Sequence, residues 1–377
     1  MLNIGITGQT GFIGTHLYNT LNLTPEKYKL IPFHNEYFLD KEKLKNFVQE
    51  CDVIIHLAAM NRHNESQVIY QTNLNLVNQL IQAFEDTNST PHILFASSTQ
   101  EEKDNHYGQS KLEGRILFEK WARKNKASFT SLVIPNVYGP FGKPFYNSVV
   151  ATFCHQLTHG EQPQINIDAE LELIYIGELV SQFINSIMVQ ESEKKVDIKK
   201  ILVPHTTQIK VSELLGIIEN FKAEYFKKGI FPNLNNKFTK NLFNTFVCYI
   251  NHSKWFPFCL EKYSDKRGSF VETVKLNSGG QVSFSTTVPG VTRGNHFHTR
   301  KAERFVVIKG NARIELREIG SNIKHTFYLD GDNPSFVDMP IWHTHNITNI
   351  GDDELYTIFW INEKFESNDP DTYFEEV

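Results

Sequence analysis

Cysteine is scarce: Cys51, Cys154, Cys248 and Cys259 are the four in 377 residues, and no two form a CxxC pair. That scatter excludes a disulfide framework and a thiolate zinc site, and predicts reduced, mostly buried thiols. Long apolar runs are missing too, since no stretch approaches the roughly 20 residues that span a bilayer. The first residues lack a charged region followed by a cleavable apolar one, so a cytoplasmic protein without a membrane partner is expected. Neither sign of charge dominates: 38 Lys+Arg stand against 43 Asp+Glu, a formal net charge of −5. Without a basic block to track a phosphodiester backbone, no nucleic-acid partner is expected. Internal repeats and low-complexity tracts are also absent.

What remains is an ordinary globular composition, 40% apolar and 21% charged, of a length that predicts two domains. The first 130 residues alternate short apolar runs with amphipathic stretches: Leu2–Thr7, a helical pattern from Phe12, Tyr28–Phe33, Val53–Leu57 and His92–Ser97. Such alternation predicts an α/β domain with a doubly wound parallel sheet covered on both faces. The pattern continues through Phe129–Val133 and around Ile174 and Tyr175, and a last helical stretch from Phe238 ends near Asn251. From Tyr263 the texture becomes short alternating strands: Gln281–Thr286, Arg304–Ile308, Ala312–Leu316, His325–Leu329, Phe336–Met339 and Tyr356–Trp360. Strands at that spacing without helices between them predict an antiparallel barrel or jelly roll. The expected domains are therefore residues 1–250 and 251–377.

Immediately after the first strand stands Thr7-Gly8-Gln9-Thr10-Gly11-Phe12-Ile13-Gly14. Glycines at this spacing allow a tight turn, backbone approach to a pyrophosphate and close helix–sheet packing. Gly8, Thr10, Gly11, Phe12 and Ile13 are thus cofactor-binding candidates. At the end of the second strand, where an NAD site would place a carboxylate on the ribose, the chain reads Pro32-Phe33-His34-Asn35, with Glu36 close by. His34 is the candidate there, and the missing carboxylate favours NADPH. Leu57, Ala58 and Ala59 follow the third strand as small residues suited to the adenine-ribose half.

Tyr107 and Lys111 are four apart, one helical turn, so a phenol and an ammonium share a face. An adjacent cation brings the phenol toward working pH, where it exchanges a proton with an alcohol or ketone oxygen. Upstream, Ser97-Ser98-Thr99 closes a strand and offers a hydroxyl to orient a carbonyl, Ser98 matching better than its neighbour Thr99. The glycine loop, His56-Leu57-Ala58-Ala59, the serine strand, YxxxK and Pro135-Asn136-Val137-Tyr138-Gly139 together resemble the extended short-chain dehydrogenase/reductase family in order and spacing. The resemblance implies a catalytic trio of Ser98, Tyr107 and Lys111, with Lys111 also on the cofactor ribose, and a nucleotide-sugar substrate beside Asn136. Two positions depart from that family: Val133 replaces an arginine common before the Asn136 loop, and Tyr175-Ile176-Gly177-Glu178 replaces a YVDD-like segment.

In the strand-rich part, Gly290, His296, His298, Glu303 and Gly310 are followed by Pro340, His345 and Asn349. Histidines at i and i+2 on a strand project to one face, and Glu303 and His345 on neighbouring strands can complete a three-nitrogen, one-oxygen site for zinc or another divalent metal. These residues resemble the two motifs of the cupin family, with Trp342 where the second usually has glycine. Asp265-Lys266-Arg267-Gly268-Ser269-Phe270-Val271-Glu272 is similar to a segment of cupin-type deoxysugar 3,5-epimerases. Lys301, His343 and Tyr263 are open alternatives for the epimerisation base.

A reductase of this kind ahead of a metal-bearing cupin resembles the bifunctional enzymes of capsular polysaccharide synthesis. Tyr146–Cys154, Gly294–His298, Thr344–Ile347 and Asp369–Val377 carry that likeness across both domains. It implies that the cupin inverts C-3 of UDP-2-acetamido-2,6-dideoxy-4-hexulose. The reductase then reduces C-4 with NADPH to UDP-2-acetamido-2,6-dideoxy-L-talose, for N-acetyl-L-fucosamine synthesis. The same likeness implies a second substrate contact at Asn147 and a homodimer through the cupin domain. The alternative is an epimerase or dehydratase of another nucleotide sugar with a structural cupin.

Overall fold

Apolar residues that alternate sides along each early strand bury both faces of one sheet. Ile54, Ile93 and Phe95 pack on one face with Leu44, Phe47, Leu80, Phe84, Phe118 and Trp121. Their strand neighbours Val53, Ile55, Leu94 and Ala96 pack on the other with Leu17, Leu21, Leu179 and Phe183. At roughly 1.5–3 kcal/mol for each fully buried large apolar side chain, this two-sided burial is the main stabilising term of the region.

The computed structural model describes residues 1–193, 195–266 and 268–377; Arg267 of the Asp265–Glu272 segment lies outside the described residues. Strands β1 (Leu2–Thr7), β2 (Tyr28–Ile31), β3 (Val53–His56), β4 (His92–Ser98) and β5 (Phe129–Ile134) join the strand Ile198–Leu202 in a six-stranded sheet, in the order β2-β1-β3-β4-β5 and then 198–202. Every pairing in it is parallel. Helices α1 (Phe12–Leu21), α2 (Lys41–Glu50), α3 (Ser66–Thr87) and α4 (His106–Asn125) run between strands. The expected doubly wound sheet is present, and strand order reverses between β1 and β3, the place where such sheets open a ligand crevice.

The β-rich part forms two five-stranded antiparallel sheets. One runs Phe258–Cys259, Ser335–Met339, Glu303–Lys309, Leu355–Ile361, Gln281–Thr287; the other runs Lys324–Asp330, Asn311–Glu318, His343–Asn349, Thr292–Phe297, Tyr373–Phe374. Val306, Val337, Met339 and Leu355 of the first share a core with Ile314, Leu316, Phe327 and Ile347 of the second. The six expected strands lie within these elements; Thr292–Phe297, which holds His296 and ends one residue before His298, and His343–Asn349, which holds His345, are additional.

By compactness the chain divides into residues 1–138 with 170–209, and residues 139–169 with 210–377. Segments ahead of residue 250 thus group with the strands that follow it. A buried network accounts for one of them: Arg304 pairs with Asp338 at 2.7 and 2.8 Å and donates to Gly229 O at 2.7 Å, while the Tyr225 hydroxyl donates to Asp338 at 2.6 Å. No helix among the described residues is long and apolar enough to cross a membrane.

Candidate functional site

In the first unit the loops after β1 and β3 are tied together. Thr7 Oγ1 lies 2.7 Å from His56 Nδ1 and accepts the Ala58 N–H at 3.4 Å. Gly8 takes φ +75°, and a Cβ there would stand 2.9 Å from Ala58 N. At Gly14 a Cβ would stand 2.2 Å from Gly8 O, so only glycine lets α1 begin this close to the turn. Gly11 caps α1 without a side chain, which leaves first-turn N–H groups suited to a phosphate. Thr10 is exposed, and Phe12, Ile13, Leu57, Ala58 and Ala59 are half-buried around this turn. His34 is exposed ahead of the short helix Asn35–Leu39, whose first turn carries Glu36.

Lys111 of α4 is 4% exposed, and its ammonium donates to Ala96 O of β4 at 2.9 Å. It also lies 5.1 Å from the Phe95 ring centre and 5.7 Å from that of Tyr107. Burial pushes its pKa down to about 8. His56, pushed down to about 3 by burial and then by the Lys111 charge, stays neutral beneath it.

Tyr107 is half-buried in the first turn of α4, whose start is fixed by Asn105 accepting the Gly108 N–H at 2.8 Å. On β4, Ser97 is buried and donates to Glu101 at 2.7 Å. Alternation turns Ser98 to the opposite side, where its half-buried hydroxyl accepts the Gln100 N–H at 3.2 Å. Thr99 is exposed in the turn that follows.

Three supports of this centre were not assigned a role by motif. Asn73 accepts the Met60 N–H at 2.7 Å and donates to Met60 O and, at 3.0 Å, to Ser110 Oγ, which itself donates to Tyr107 O at 2.7 Å. Glu101 is held by Arg115 and by Lys200 at 2.6 Å. A Cβ on Gly108 would meet Gln100 O at 1.9 Å, so α4 presses on the turn after Ser98. Only the Gly108 requirement leaves a mark in the motif itself. Asn136 is exposed on a strand paired with Glu170–Tyr175 in the first unit, and Asn147 is exposed in the second unit, next to the helix cap Ser148.

In the second unit His296, His298, Glu303 and His345 converge, their ligand atoms all within 4.8 Å of one another. A bulge between Gly294 and His296 sets His296 opposite His345, while Glu303 comes from the other sheet. Glu303 Oε2 lies 3.1 Å from His345 Nε2 and 3.4 Å from His298 Nε2. Nδ1 of His345 faces His343 O at 3.2 Å and Nδ1 of His298 faces Asp371 O, which turns both Nε2 atoms to the cluster.

Burial would raise the Glu303 pKa, yet the imidazoles of His345, at 3.1 Å, and His298, at 3.4 Å, hold it well below the usual range. His296 is pushed down to about 4, by burial and then by the charges of His345 and His298. For His298, burial is overcome by Glu303 and the net direction is upward. Buried His298 Nε2 makes no hydrogen bond among the described residues. An anionic carboxylate and three imidazoles of this kind fit a first-row divalent ion.

Trp342 keeps φ +59°, the left-handed conformation in which glycine is usual, and its ring stacks on Phe297 at 5.6 Å. Among the base alternatives, Tyr263 is exposed, Lys301 Nζ donates to Pro370 O at 2.7 Å, and His343 is held neutral by burial, its pKa near 3.

Residues 4–198 match the NAD dependent epimerase/dehydratase family, and residues 263–373 match the polysaccharide biosynthesis C-terminal domain. A UDP-2-acetamido-2,6-beta-L-arabino-hexul-4-ose reductase of Pseudomonas aeruginosa is 33% identical over 374 residues, 99% of this chain and 98% of that protein. The spore coat polysaccharide biosynthesis protein SpsL of Bacillus subtilis is 28% identical over 122 residues, 30% of this chain and 81% of that protein. Among solved structures, the capsular polysaccharide assembling protein CapF of Staphylococcus aureus aligns over 100% of both chains, with TM-score 0.63 and 33% identity.

Proposed function

The chain belongs to the NAD dependent epimerase/dehydratase family, and from that premise we propose that it is a bifunctional UDP-sugar enzyme of capsular polysaccharide synthesis. Residues 251–377 epimerise C-3 of UDP-2-acetamido-2,6-dideoxy-4-hexulose, and residues 1–250 reduce C-4 with NADPH to UDP-2-acetamido-2,6-dideoxy-L-talose. The observation that carries this reading is the presence of two separate chemical centres in one chain, a buried lysine beside Tyr107 and a four-donor cluster around Glu303.

The C-3 proton is acidified by the C-4 carbonyl, so inversion needs a base, an acid on the opposite face and stabilisation of the enediolate. His296, His298, Glu303 and His345 would hold zinc, which supplies Lewis-acid stabilisation of that charge when bound. A nicotinamide bound in the reductase centre would supply the hydride for C-4. Tyr107 delivers the proton to the C-4 oxygen, Lys111 lowers the phenol's pKa, and Ser98 holds the carbonyl by a hydrogen bond. Gly8, Thr10, Gly11, Phe12, Ile13, His34 and Leu57–Ala59 seat the cofactor, and Asn136 and Asn147 contact the sugar nucleotide. The protein works in the cytoplasm as a homodimer through the cupin domain.

The test is incubation of the purified full chain with the 4-hexulose and NADPH in D2O, followed by NMR of the product. A talo product labelled at C-3 is the expected result. Reduction without inversion or label would leave a plain C-4 reductase, and no reaction at all would refute the substrate.

A further inference from the structure

We propose that Asp371 is a positioning residue for the metal ligand His298, and that the segment around it braces the ligand cluster. This rests on the reading of His296, His298, Glu303 and His345 as a metal site. Asp371 is 2% exposed and takes φ +42°, a conformation costly for a residue with a side chain. Its carboxylate compensates by accepting four hydrogen bonds from the turn after His298: from Thr299 N at 3.1 Å, Thr299 Oγ1 at 2.6 Å, Arg300 N at 3.0 Å and Lys301 N at 3.1 Å. Those bonds place the Asp371 carbonyl where it takes the His298 Nδ1–H. With Nδ1 committed as a donor, the lone pair of His298 resides on Nε2, the atom 3.4 Å from Glu303.

The next residues reach two other ligand positions. Phe374 pairs with His296 and Tyr373 with Phe297. The Glu375 N–H donates to Asn295 O at 3.0 Å, and Glu375 O accepts the hydroxyl of Thr344, the neighbour of His345. Lys301 and Arg300 close the same clasp, on Pro370 O at 2.7 Å and on Asp369 at 2.7 Å. A segment that only covered the sheet edge would not need a buried carboxylate collecting three successive backbone N–H groups of the turn that follows a ligand.

The test uses the full chain loaded with Co(II), read by the visible band of the ion and by competition with a chelator, for wild type, Asp371→Ala, Asp371→Asn and His345→Ala. Asp371→Ala is expected to weaken Co(II) binding about 10–100-fold and to shift the band. Asp371→Asn keeps a side-chain oxygen and tolerates positive φ, so it should recover most of the affinity with a smaller shift. Far-ultraviolet circular dichroism checks the fold, and if Asp371→Ala does not fold, the band and affinity of Asp371→Asn decide alone. Wild-type affinity and band in the Asp371 variants, even with a lowered melting temperature, would overturn the positioning role. Failure of the wild type to bind one Co(II), or wild-type binding by His345→Ala, would instead overturn the metal reading and this inference with it.

Discussion

Lys111 in the first unit and Glu303 in the second are both charges taken out of water, 4% and 8% exposed, and they are held in opposite ways. Around Lys111 the only help comes from the Ala96 carbonyl and the faces of Phe95 and Tyr107, with no carboxylate bonded to it among the described residues. Burial therefore wins, and the ammonium is brought close to losing its proton at working pH. Glu303 has two imidazoles against it, so burial loses and the carboxylate stays charged. A poorly compensated cation can follow a neighbouring phenol through a proton transfer, whereas a well-compensated anion keeps its charge for a bound cation.

The contrast can be broken most completely at Tyr107. Tyr107→Phe removes the proton donor and should reduce NADPH consumption by at least ~100-fold, within the range for general acid catalysis, while leaving C-3 deuterium exchange intact; undiminished NADPH turnover would refute the role. Glu303→Gln is the reciprocal change. It should abolish stoichiometric metal binding and cut C-3 exchange while NADPH-dependent reduction of already inverted substrate continues, as metal analysis and NMR would show.

Sharpening the comparison by pH gives a smaller effect. Lys111 titrates at about 8 in the folded chain against an ordinary 10.5, so it is cationic below about 8 and neutral above. The rate of reduction should fall as pH rises through about 8, and C-3 exchange should show no limb from this group. Between these two values the unfolded chain binds more protons than the folded one, so this lysine's contribution to stability rises with pH there. Melting temperatures across that window check the sign. The smallest effect is mechanical: Gly108→Ala forces a methyl to within 1.9 Å of Gln100 O, and should cost about 1–3 kcal/mol in a denaturant titration.

The residues proposed for both centres could be picked out in the sequence where they sit in short motifs. Tyr107 to Lys111 spans about one helical turn and Gly8 to Gly14 a tight turn and the start of α1, so local spacing alone brings each set together. His296, His298, Glu303 and His345 could be picked out by donor type and close spacing, although the strand that holds His296 ends one residue before His298. Asn73, Glu101 and Asp371 could not, since each acts through hydrogen bonds to main-chain or neighbouring groups that any of several polar residues can make. Asp371 stands 73 residues from His298, and no periodicity relates them. The grouping of residues 139–169 and 210–250 with the β-rich unit was likewise hidden, because helical texture reports amphipathicity and not the surface that an element covers.

The chain passes from one unit to the other three times, after residues 138, 169 and 209. A polypeptide cut at residue 250 would therefore carry Tyr225 away from Asp338, and Gly229 away from Arg304, leaving that buried ion pair short of two partners. In genetic terms the two compact units are plaited along the chain and not strung end to end. A single cut anywhere along the chain leaves at least one of the two units in two pieces.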